Sequence, residues 1–155
     1  MSETIIRKVN SNIEAYQALQ NIQGIPKLVS QIDYERTIYF IKICGDSLHE
    51  LSKTNSISMK LENIFSITQQ LITTIEQIHK QGFALNGLDI SHLCINDTES
   101  SKMVYITDLT KSRKIDELVP PESDSEEFQE SDEDDRCKNI ILRKDLEDIG
   151  NIMVS

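Results

Sequence analysis

Ile78-His79-Lys80-Gln81-Gly82-Phe83-Ala84-Leu85-Asn86-Gly87-Leu88-Asp89-Ile90-Ser91-His92-Leu93 is the stretch on which the reading of this chain of 155 residues turns. It starts in the last turn of a helix and ends where a strand begins. Upstream, Leu61, Ile64, Phe65, Thr68, Leu71, Ile72, Ile75 and Ile78 recur at helical spacing on one face, which predicts a helix over 59–81, the longest in the chain. Ile67 lies off that stripe and implies a second covered face. Downstream, Leu93-Cys94-Ile95 and Met103-Val104-Tyr105-Ile106 read as two small strands around a polar turn. In the loop between helix and strand, Gly87 offers no side chain, while Asp89 and His92 offer a carboxylate and an imidazole.

The N-terminal part reads as mixed structure. Residues 4–9 form a short strand. Ser11-Asn12-Ile13-Glu14 has the pattern of a capping box and opens a helix running to about Ile22, which Gly24-Ile25-Pro26 ends. Leu28 to Tyr34 and Thr37 to Cys44, rich in β-branched and aromatic residues, read as two strands joined at Glu35-Arg36. Gly45-Asp46-Ser47-Leu48 starts a short helix with Asp46 or Ser47 as its cap. A final helix runs from Asp145 to Val154, apolar at Leu146, Ile149, Ile152 and Met153. The fold class is α+β, as one domain over 1–155.

Composition bounds the function. Hydrophobic residues are 38% of the chain, enough for a core at this length. No apolar run approaches a membrane span, and the N-terminus lacks the apolar region of a signal peptide. Cys44, Cys94 and Cys137 are far apart, which fits neither a disulfide framework nor a zinc site, so an intracellular protein, cytoplasmic or nuclear, is expected. The net charge of −10 is concentrated: residues 116–135 carry 11 of the 26 acids and no Lys or Arg, leaving 15 acids against 16 bases elsewhere. A broad basic face for direct nucleic-acid binding is therefore not expected. Residues 116–139 have too little apolar surface to offset ordering entropy and are expected to be disordered. Within that insert Ser123 and Ser131 each have an acid three residues on (Glu126 and Asp134), the spacing of acidophilic phosphorylation sites such as those of casein kinase 2.

Five local motifs, in order, carry a resemblance. Tyr16-Gln17-Ala18-Leu19 with Gly24-Ile25-Pro26, Gly45-Asp46-Ser47-Leu48-His49-Glu50-Leu51, Gln77-Ile78-His79-Lys80-Gln81-Gly82-Phe83, Val104-Tyr105-Ile106-Thr107-Asp108-Leu109-Thr110-Lys111 and Arg143-Lys144-Asp145-Leu146-Glu147-Asp148-Ile149-Gly150 resemble successive segments of a protein kinase. They run from its third strand to the middle of its central C-lobe helix. The chain is most similar to the casein kinase 1 and vaccinia-related kinase group; Asp108-Leu109-Thr110 is also similar to the Asp-Tyr-Thr of haspin kinases. The resemblance implies a reduced kinase-like fold, with a partial N-lobe over 1–44, a partial C-lobe over 45–115, the acidic insert over 116–139 and the start of the central helix over 140–155.

The departures from that family decide what the resemblance implies for function. Phosphoryl transfer is mostly positioning and charge stabilisation. Gly87 stands where the family has its general base, Asp89 where it has a phosphate-contacting lysine, and His92 where it has a magnesium-binding asparagine. Asp108 alone remains at a metal-ligand position. Lys8 and Glu14 stand near the lysine and glutamate of the nucleotide clamp. No glycine-rich loop and no Ala-Pro-Glu appear, and the acidic insert replaces the peptide-binding segment. Taken without the resemblance, Asp108 is a hydrogen-bonded loop residue, Lys8 and Glu14 a surface pair or no pair, and His92 a structural histidine with no carboxylate partner at obvious spacing. The expectation is a pseudokinase: not an enzyme, without a cofactor, acting as a protein-binding regulator or subunit. Its partner would complete the truncated core or be a second copy, and one role would be competition with an active kinase relative. A nucleotide-binding sensor without transfer activity and an acidic decoy for basic proteins are the alternatives; no membrane partner is expected.

Overall fold

The computed structural model describes residues 4–33, 36–54, 61–98, 101–118 and 130–154. Three antiparallel strands form the first sheet: β1 (Thr4–Lys8), β2 (Lys27–Asp33) and β3 (Arg36–Cys44), in the order β1-β3-β2. Helix α1 (Ile13–Ala18) crosses from β1 and sends Ala15, Tyr16 and the following Leu19 into the core. Next come β4 (Asp46–Ser47), α2 (Leu48–Lys53) and α3 (Leu61–Lys80). The chain continues through β5 (Phe83–Ala84), a 3-10 turn (Ile90–His92), β6 (Leu93–Thr98), β7 (Ser101–Ile106), β8 (Arg113–Lys114), α4 (Ile115–Leu118) and α5 (Glu130–Val154). β4, β6 and β7 form a second sheet, and β5 pairs with β8. The class is α+β. No helix among the described residues is long and apolar enough to cross a membrane.

One core joins these layers. Ile41 and Ile43 of β3, Leu19 at the end of α1, Ile67, Leu71, Ile75 and Ile78 of α3, Leu93 and Ile106 of the second sheet, and Ile149 of α5 belong to a single buried cluster. Gly45 lets β3 pass into the second sheet: its φ is 108°, and a Cβ there would come within 2.2 Å of the Ile95 carbonyl oxygen. Only glycine accepts both the conformation and the approach.

Several expectations are corrected. The buried face of α3 is set by Ile67, Leu71, Thr74, Ile75 and Ile78, whereas Phe65 is 68% exposed and Ile72 38%. Ile67 belongs to the buried stripe, because that stripe is centred on Leu71 and Ile78 rather than on Phe65. Ser11 does not cap α1; Asn12 is the N-cap, in the left-handed region at φ 55°, and makes no side-chain cap bond. Its amide is used elsewhere, and α1 ends at Ala18 rather than near Ile22. The longest helix is α5, which starts at Glu130, so the disorder expected over 116–139 fails for 130–139 and for 116–118 in α4. Acids gathered at the start of a helix are favoured by the macrodipole, and no Pro or Gly interrupts 130–149, so the run is a helix entry rather than a barrier to one. Residues 119–129, with Ser123, lie outside the described residues; Ser131 falls in the first turn of α5.

Candidate functional site

The loop 82–92 is held from below by α5. Asp145 is wholly buried, and its Oδ2 accepts the Leu85 N–H at 2.8 Å and the His79 Nε2–H at 2.9 Å. Its Oδ1 accepts the Asn86 N–H at 3.0 Å. One turn on, Asp148 accepts the Leu88 N–H at 2.9 Å. These two carboxylates, three residues apart on one helical face, take three backbone donors that the loop cannot satisfy itself. The flank is closed by β5–β8 pairing and by the Ile115 N–H donating to the Gly82 carbonyl at 2.9 Å. Asn86 and Gly87 make the bend at φ 57° and 121°.

Asp89, His92 and Asp108 above this loop each make local hydrogen bonds. Asp89 Oδ1 accepts from the Ser91 N–H at 2.9 Å and Ser91 Oγ at 2.6 Å, capping the 3-10 turn. The Ser91 hydroxyl and N–H hold its carboxyl below the usual carboxylate range. The Asp89 N–H donates to His92 Nδ1 at 3.3 Å, which puts the ring proton of neutral His92 on Nε2. That Nε2 faces Asp108 Oδ2 at 3.9 Å, a carboxylate neighbour 16 positions away in the sequence, which no local spacing shows. Thr107 N–H and Oγ1 both donate to the His92 carbonyl, at 2.7 and 3.0 Å. Asp108 Oδ1 accepts from the Thr110 N–H at 2.9 Å and Oγ1 at 2.6 Å. Burial pushes the Asp108 carboxyl up, but the two Thr110 donors together with His92 and Arg7 bring it below its ordinary value.

Lys8 and Glu14 are not brought together. Glu14 pairs with Lys114 at 2.6 Å. Lys8 lies opposite Phe40 on the outward face of the first sheet. Its neighbour Arg7, on the core side, donates from Nη2 to the Thr107 carbonyl at 2.5 Å. The alternation of a strand decides this: a shift of one residue changes the face. Tyr16 on α1 donates to the same carbonyl at 3.3 Å and accepts the Leu109 N–H at 3.0 Å. Burial, with Asp108 nearby, raises the Tyr16 phenol, so it stays a donor. Asn12 Nδ2 donates to the Leu109 and Ser112 carbonyls at 2.7 and 2.8 Å, closing the segment 107–112 against α1.

Gly87 lies under Lys111: a Cβ built there meets Lys111 Cδ at 3.7 Å and Nζ at 4.0 Å. Among the described residues no group of three or more His, Cys, Asp or Glu is placed to hold a metal ion. Cys94 is a buried thiol whose pKa burial raises, which leaves it protonated and unreactive. Sequence reasoning missed Arg7, Asn12, Tyr16, Lys111 and the clamping role of Asp145 and Asp148. A signal existed for the last two, which stand one turn apart on a predicted apolar helix face. No protein-family model matches the chain.

Proposed function

We propose that this chain is a kinase-like protein without phosphoryl transfer, which works by binding another protein. The observation that carries the reading is the commitment of the side chains around the loop 82–92 to hydrogen bonds within the chain. Transfer needs groups aimed at a nucleotide, its metal and an acceptor hydroxyl. Here position 87 has no side chain, Asp89 and Asp108 cap their own turns, and Arg7 is spent on a backbone carbonyl. The loop is built as a structural element, anchored through Asp145 and Asp148. The same commitments weigh against the nucleotide-sensor alternative, since they leave few donors for phosphate.

Binding is favoured by apolar surface beside the core. Phe65 and Ile72 lie seven residues apart on one flank of α3, and Leu146 of α5 is 44% exposed. Large apolar groups aligned on a helix flank mark interaction surfaces. Sedimentation velocity of the labelled full chain, alone and in cell extract, tests the proposal. A faster-sedimenting species in extract, lost when Phe65 and Ile72 are both changed to Ser, is expected. A chain that stays monomeric in both, and binds no hydrophobic dye, contradicts it.

A further inference from the structure

The outward face of the first sheet departs from the chain's acidic character. Residues directly opposite one another share a face. The register therefore puts Ile6, Lys42 and Lys27 in one row and Lys8, Phe40 and Val29 in the next. Ile6 is 63% exposed and Val29 45%, and Phe40 is half-buried. No ion pair to Lys8, Lys27 or Lys42 forms among the described residues. In a chain of net charge −10, this face gathers three ammonium groups, without an ion pair among the described residues, around exposed apolar side chains.

The backbone adds a second, independent observation. Among the described residues β1 has β3 as its one strand neighbour, and none of them pairs with its other edge. The Val9 N–H donates to the Tyr39 carbonyl at 2.8 Å, which makes Val9 a hydrogen-bonded position of the ladder. By antiparallel alternation Arg7 is another, while Ile6 and Lys8 turn their N–H and C=O groups outward. The opposite edge is less available, because Gln20 Oε1 accepts the Leu28 N–H at 2.7 Å and Gln20 Nε2 donates to the Pro26 carbonyl at 3.1 Å.

We infer that the β1 edge and its outward face take an extended acidic–apolar segment of a partner protein as an added strand. The segment pairs its backbone with Ile6 and Lys8, lays an apolar side chain beside Ile6, and sets carboxylates against Lys8 and, across β1, Lys42. Strand addition takes affinity from main-chain bonds and specificity from alternate side chains. A lipid surface would use the lysines but leave the open edge unpaired. The inference goes beyond the reading of the chain as kinase-like and does not depend on it.

The test is titration of the full chain with a labelled peptide of repeating Val-Thr-Glu-Thr, whose Val and Glu side chains alternate along one strand face, followed by fluorescence anisotropy and by amide chemical shifts. Saturable binding is expected, with shifts at residues 4–8. Lys8→Glu with Lys42→Glu weakens binding by about tenfold or more. A peptide N-methylated on its edge-facing amides loses binding although the protein is unchanged, which separates edge pairing from charge attraction without risk to the fold. The inference is overturned by no saturable binding, by N-methylated peptide binding as well as the parent, or by anionic vesicles binding where the peptide does not. Self-association without peptide that Ile6→Pro abolishes also overturns it, since the edge would then belong to a second copy.

Discussion

A carboxylate with no exposed surface is tolerated only when its oxygens are fully used, and Asp145 accepts from two backbone N–H groups and one imidazole. Asp145→Ala strands those donors and should cost about 3–5 kcal/mol, read as a lower urea midpoint. Asp145→Asn keeps the shape but turns an NH2 toward a donor, and should cost less than the alanine change. A loss within a few tenths of a kcal/mol for Asp145→Ala would show that the loop is held by other contacts. The carboxylates above the loop predict a pH dependence. Asp89 and Asp108 both have carboxyls held below their ordinary value in the folded chain. Their contribution to stability is therefore complete above the unfolded value of about 4 and is lost as pH falls through the lower folded values. Urea midpoints measured from neutral pH downward should drop on the acid side, and less steeply for Asp108→Asn. An equal slope for that variant would remove Asp108 from the linkage.

At the scale of elements, α3 separates packing from pattern. Leu71 and Ile75 are 1% and 0% exposed, so Leu71→Ala or Ile75→Ala should cost roughly 2–5 kcal/mol. Phe65, on the same predicted stripe, should change stability by only a few tenths of a kcal/mol when cut to alanine. Equal costs at Leu71 and Phe65, measured by denaturant titration, would mean that both flanks of α3 are core. Periodicity made α3 and the five longer strands legible, because each signal is local to its own segment. The rest was not local. Asn12 gives its amide to carbonyls about a hundred positions away, which is why Ser11-Asn12-Ile13-Glu14 read as a capping box and is not one. Arg7 and Lys8 are adjacent, similar in charge and opposite in direction, and only the register with β3 assigns the contact with Thr107 to Arg7. The acids of 130–135 read as disorder because charge density was weighed without their place at a helix start.

For the whole molecule, one core runs from the first sheet through α3 to α5, and the loop 82–92 lies where these parts meet. Such a loop could serve chemistry or only join the layers. The glycine at 87 favours the second. Its φ of 121° disfavours any L side chain, so a base could not be restored there without strain on the order of 1–2 kcal/mol. The direct measurement is transfer of radiolabelled phosphate from ATP with magnesium to casein, to basic proteins and to the chain itself. The account predicts no transfer above the protein-free blank, for the unaltered chain and for Gly87→Asp alike. Turnover that follows the chain through repurification and disappears on Asp108→Ala would contradict it.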